Sequence, residues 1–125
     1  AAKAAEANAG PWVSDPSDPN NVKIEAAIRG RIFKFEGELT QADLGKLKAL
    51  NISFKALTNV KALEKLTQLK YLGLVGNRLA DVKSLEKLTQ LTELHLGNNP
   101  DLTKTQIAEL QKVLPKCKID SNPTK

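Results

Sequence analysis

The chain has 125 residues, a length suited to one domain, and is 41% hydrophobic but only 4% aromatic, with no Met. One Cys and one His exclude a disulfide framework and a Cys/His metal cluster, and no apolar run approaches the roughly 18 residues of a helical membrane span. Nineteen Lys and Arg against 14 Asp and Glu give a net charge of +5, which permits anionic partners without demanding them.

Leu is absent before Leu39 and dense from there to Leu114. The core is therefore aliphatic, and the first third of the chain is built differently from the rest. Residues 1–9 are mostly Ala, too short a run to meet the nucleation cost of an isolated helix. Gly10-Pro11 breaks any helix, and Pro16 and Pro19 punctuate the next stretch. Residues 1–17 are expected to be a flexible tail, with Trp12 and Val13 as the exception that docks on the domain. The chain starts without Met and without a signal-peptide core. That suits either a shortened chain or a mature protein whose leader or lipid anchor has been removed, and favours secretion or the cell envelope over the cytoplasm.

Ordered structure is predicted to begin at Asp18, a helix cap, with Pro19 at the first helical position. Ile24, Ala27, Ile28 and Ile32 recur at helical spacing, while Lys23, Glu25, Arg29 and Arg31 face away. The result is an amphipathic helix of about three turns with an apolar face to cover something. Glu36-Gly37 ends the element. Thr40 is the expected cap of a second short helical segment leading to Leu44.

From Leu44 the chain copies itself every 22 residues. Leu44, Leu47, Leu50 and Ile52 match Leu66, Leu69, Leu72 and Leu74, and a third copy continues with Leu88, Leu91, Leu94 and Leu96. Each unit cannot bury its apolar face alone, so the units must stack. Leu72-Gly73-Leu74 and Leu94-His95-Leu96 alternate as short strands do, whereas Leu63, Leu66 and Leu69 suit a tight 3₁₀ turn. Asn77 and Asn99 sit at the corner after each strand, where an amide can satisfy inward-turning backbone. Lys55 occupies that position in the first copy, so a looser corner is expected there.

The second and third copies read L-x-x-L-x-L-x-x-N. This pattern resembles the leucine-rich-repeat family, specifically its 22-residue bacterial, internalin-like form, over residues 39–119. The resemblance implies an α/β fold: a short right-handed solenoid with a parallel sheet on its concave face. A helix at residues 19–32 would cover the open edge of the first repeat. After Asn99 an inserted residue leads to Thr103-Lys-Thr-Gln106, a capping box. Ile107, Leu110 and Leu114 then mark a helix face, and Pro115 stops the helix. Cys117 and Ile119 are placed at the strand spacing of Leu94 and Leu96, making Cys117 a core thiol. The domain plan is thus a tail (1–17), an N-terminal helical cap (18–43), repeats (44–102), and a helix-plus-strand C-terminal cap with its tail (103–125).

Strand alternation projects Asn51 and Ser53, then Tyr71, Gly73 and Val75, then Glu93 and His95, and finally Lys118 toward the concave side. Neighbouring strands lie about 4.8 Å apart, so these residues form one mixed patch. Tyr and His each pair a flat apolar body with a polar tip. The patch reads as a contact surface for a protein or a surface glycan, and a monomer is expected. Glu93 and His95 lack an oriented nucleophile, which speaks against an enzyme. One His and one Glu are too few ligands for a closed zinc shell, and no Gly-rich loop cradles a phosphate, so no cofactor is expected. Stacked lysines such as Lys61 and Lys83 are sparse in Arg and aromatic company, which speaks against nucleic acid as partner. The alternatives are a structural envelope module without its own ligand and weak polyanion binding through the lysine ladders.

Overall fold

The computed structural model describes residue 12 and residues 14–121. Of the expected tail at residues 1–17, residues 1–11 with the Ala-rich stretch and Val13 lie outside the described residues, while Ser14 and Asp15 are bonded to Glu25 and Asn21 of the first helix. Helix α1 (Pro19–Ile32) starts where Asp18 accepts from the Asn20 amide, with Pro in its first turn. Ile24 and Ile28 are fully buried, and Ala27 and Ile32 pack beside them. The helix ends on Phe33 in the left-handed conformation, φ 57°. Short helix α2 (Gln41–Gly45) opens with a capping box in which Thr40 and Asp43 bond each other's backbone.

Strands β1 (Ala49–Asn51), β2 (Tyr71–Gly73) and β3 (Glu93–His95) come next, separated by 3₁₀ turns at Lys61–Lys65 and Lys83–Lys87. Helix α3 (Lys104–Val113) carries the second capping box, Thr103 with Gln106, and leads into β4 (Lys118–Asp120). The four strands form one sheet in sequence order, every neighbour parallel. The first two pairs are offset by the repeat itself: Leu50 opposes Leu72, and Leu72 opposes Leu94. This is the short α/β leucine-rich solenoid expected from the repeat pattern.

The core is a ladder of aliphatic side chains between the sheet and the 3₁₀ turns. Leu50, Leu72 and Leu94 form one rung series, and Leu63 and Leu85 another, each at most 2% exposed. Cys117 is buried in the same cluster, at its C-terminal end. The register of the last strand corrects the sequence-based expectation. Ile119, not Cys117, opposes Leu94, so the strand is shifted by two residues, and Asp120 stands opposite His95. The shift arises because α3 replaces a 3₁₀ turn, and its length, not the repeat period, sets where the chain re-enters the sheet.

The corner asparagines are buried and serve two repeats each. Asn99 donates to Leu74 O and Leu96 O and accepts from the Leu79 amide. Asn77 donates to Ile52 O and Leu74 O and accepts from the amides of Lys55 and Leu57. The first corner is therefore not left without amide bonds, as Lys55 in the Asn position suggests. Its irregularity lies in the backbone, where both Phe54 and Ala56 take positive φ, against Gly76 and Asn98 in the later copies.

Both ends are tied by side chains at equivalent places. Asn20 of α1 accepts from the Thr58 amide and donates to its hydroxyl. Gln106 of α3 donates to Ala80 O at 2.7 Å. Trp12 is buried with its indole N–H on Glu25, and Glu25 also receives Arg29 and Ser14.

Candidate functional site: the concave face

Each strand is three residues long, so alternation gives each of them at most two side chains to offer to the concave side. The side chain of Asn51 closes β1 by accepting the Ser53 amide at 3.0 Å, and the Ser53 hydroxyl accepts from the Val75 amide at 3.2 Å. These bonds hold the strand ends against each other. Gly73 forms the floor between Asn51 and Tyr71. A Cβ at that position would stand 2.9 Å from Asn51 Oδ1 and 3.3 Å from the Tyr71 hydroxyl. The absence of a side chain there opens a hollow of about 580 Å³, lined in part by Ser53, Tyr71, Gly73, Val75 and His95.

His95 is held on three sides. Its ring lies 5.4 Å from that of Tyr71, tilted by 50°, within the range of favourable aromatic pairing. Nε2 is 2.7 Å from Glu93 Oε2, and Nδ1 is 3.3 Å from Asp120 Oδ2. Hydrogen bonding to Glu93, opposed by partial burial and assisted by Asp120, raises the His95 pKa above its ordinary value. When charged, the ring donates to a carboxylate on each side. With both ring nitrogens so occupied, neither is free to take a proton from a ligand, which weakens any general-base role. Among the described residues no group of three or more His, Cys, Asp or Glu is arranged to hold a metal ion.

The structure brings Asn51, Ser53, Tyr71, Val75 and His95 to one hollow, with Glu93 bonded to His95 beside it. Lys118 is exposed and sits opposite Glu93 in the strand register, outside the His95 cluster. Asp120 is the residue that sequence reasoning missed. It alternates with Lys118, but the two-residue register shift hides it. Cys117 lies one residue before this last strand, and burial, with a smaller contribution from the Glu93 charge, pushes its thiol pKa up. A buried, protonated thiol is a poor nucleophile.

Arg31 is exposed and Lys23 half-buried, and with Lys55 they line an open groove between α1 and β1. Arg31 Nε donates to Ala49 O at 3.2 Å, which ties the end of the helix to the strand.

Residues 67–112 match the family described as leucine rich repeats (2 copies). No curated protein matches the chain. Among solved structures, an internalin (inlF) from Listeria monocytogenes is similar with a TM-score of 0.69 at 23% identity, over 92% of this chain and 34% of that one. Internalin C2 from the same organism is similar with a TM-score of 0.69 at 24% identity, over 94% of this chain and 62% of that one. The chain thus spans between a third and two thirds of these proteins, and the likeness is one of fold. Among the described residues no helix is long and apolar enough to cross a membrane. The chain carries leucine-rich repeats and folds as an internalin-like solenoid.

Proposed function

We propose that the domain is a non-enzymatic protein-interaction module that takes its partner on the concave face of the repeat sheet. The observation that carries this reading is the Tyr71–His95 ring pair standing over the Gly73 floor, with Glu93 and Asp120 beside it. Interface centres favour rigid aromatic groups with a polar edge, because they bury much area at small entropic cost. Here the His95 ring is held in place by its carboxylate neighbours before any partner arrives, which lowers the ordering cost of binding. Asn51, Ser53, Val75 and Lys118 complete the contact surface in this reading. A surface glycan would meet the same groups. A location outside the cytoplasm belongs to this reading, and fractionation of the source organism checks it.

The test is crosslinking capture in the source organism, with variants compared against the wild type. A partner recovered with the wild-type domain and lost with Tyr71→Ala and with His95→Ala supports the concave reading. A partner retained by both variants overturns it. Loss only on replacing Lys61 and Lys83, together with dissociation at moderate salt, would instead favour polyanion binding.

A further inference from the structure

The groove between α1 and β1 has no part in the proposed partner contact beyond sharing Asn51, Lys55 and Tyr71 with the hollow. It holds about 620 Å³ and is lined by three cations, Lys23, Arg31 and Lys55, and by no carboxylate. Among the described residues neither Lys23 nor Lys55 has an ion-pair partner, and the Arg31 guanidinium is held by a backbone carbonyl. The domain does neutralise charges elsewhere: Arg29 is paired with Glu25, and Lys34 with Asp43. Three like charges around one concavity repel one another, and an anionic occupant would relieve that repulsion.

We propose that this groove binds an acidic polypeptide segment. Its apolar lining is aliphatic, with Ala27, Ala49 and Leu50, and Tyr71 is the one aromatic in its wall. Such a wall suits carboxylate side chains alternating with small apolar ones. Stacking platforms for sugars or bases use several aromatic faces. The groove also shares Asn51, Lys55 and Tyr71 with the hollow that reaches His95. The combined trough is longer than a small anion needs and accommodates an extended chain crossing the strands. The carboxylates of Glu93 and Asp120 lie beside His95 at its far end, so the acidic part of the segment belongs at the α1 end.

The experiment titrates a hexaglutamate peptide into the isotope-labelled protein and tracks the backbone amide resonances. Saturable shifts confined to residues 23–31, 49–55 and 71 are expected. Lys23→Gln combined with Lys55→Gln should weaken binding by about tenfold or more, and Lys61→Gln combined with Lys83→Gln should leave it within about twofold. Lys55→Gln alone, a change at an exposed side chain, keeps the test clear of unfolding. Shifts that do not saturate, or equal losses from the two double variants, overturn the proposal. Tighter binding of a sulfated octasaccharide at the same residues would also overturn it, in favour of a glycan. None of these outcomes depends on the Tyr71 and His95 capture experiment, which would fail separately.

Discussion

Asn77 Oδ1 accepts the backbone N–H of Lys55, 22 residues earlier, at 3.0 Å. Lys55 stands where the repeat would place its own Asn, yet contributes only its backbone. The amide of the next repeat closes the corner instead, with further bonds to Leu57, Ile52 and Leu74. Asn77→Ala would leave up to four backbone groups without that partner. Each such group costs about 1–3 kcal/mol when orphaned, tempered by water entry, so a loss of about 2–5 kcal/mol is expected. Lys55→Ala should stay within about 0.5 kcal/mol, as surface changes do. Urea melts of the two variants check the contrast, and comparable losses would show that the Lys55 side chain matters after all.

Leu72 is fully buried at the centre of the rung series, between Leu50 and Leu94. Leu72→Ala should cost about 2–5 kcal/mol. With so few repeats to share the loss, the variant is expected to be largely unfolded at a temperature where the wild type is still folded. Thermal denaturation monitored by circular dichroism measures this directly.

The His95 cluster predicts a pH dependence of definite sign. The folded pKa is raised by Glu93 and Asp120, so the ring contributes stability fully below its ordinary value of 6.5. That contribution fades as pH rises through the raised folded value. Stability measured against His95→Gln should therefore show an advantage for the wild type in mildly acidic buffer that shrinks in mildly alkaline buffer. Proton NMR of the His95 ring should titrate above the ordinary value and move back toward it in Glu93→Gln.

Asp43 behaves in the opposite sense. Its bond to Lys34, reinforced by the Thr40 amide, holds its pKa down to about 2 from 3.8. Its contribution is present above 3.8 and is lost as pH falls toward 2. Asp43→Asn should flatten the acid limb of the stability profile over that window, and acid titration monitored by far-ultraviolet dichroism would detect it.

Trp12, the only tryptophan, is 7% exposed and bonded to Glu25 at 2.8 Å. Burial opposes ionisation of Glu25, yet the bonds from Ser14, Arg29 and Trp12 hold its pKa below the ordinary value. Trp12→Ala should cost about 3 kcal/mol, the low end for a buried tryptophan. Native emission should be blue-shifted and should move red on unfolding. An emission already red in the native protein would contradict the docking.

Much of this molecule is legible in its amino-acid sequence, because its rules are local and repeated. The 22-residue period names the buried leucines, and Asp18, Thr40 and Thr103 announce the helix starts through bonds to residues two or three positions away. Burial at each rung comes from strand alternation and 3₁₀ spacing, which need no knowledge of distant contacts. The tertiary structure alone decided what depends on how units meet. The inserted helix α3 set the register of β4 and so placed Asp120 beside His95. The packing of α1 on the first strand brought Lys23 and Arg31 alongside Lys55 around one groove. The corner of the first repeat was completed by the side chain of the second. In each case the decisive bond or charge pairs residues brought together by stacking, a geometry that the spacing of either partner along the chain does not contain.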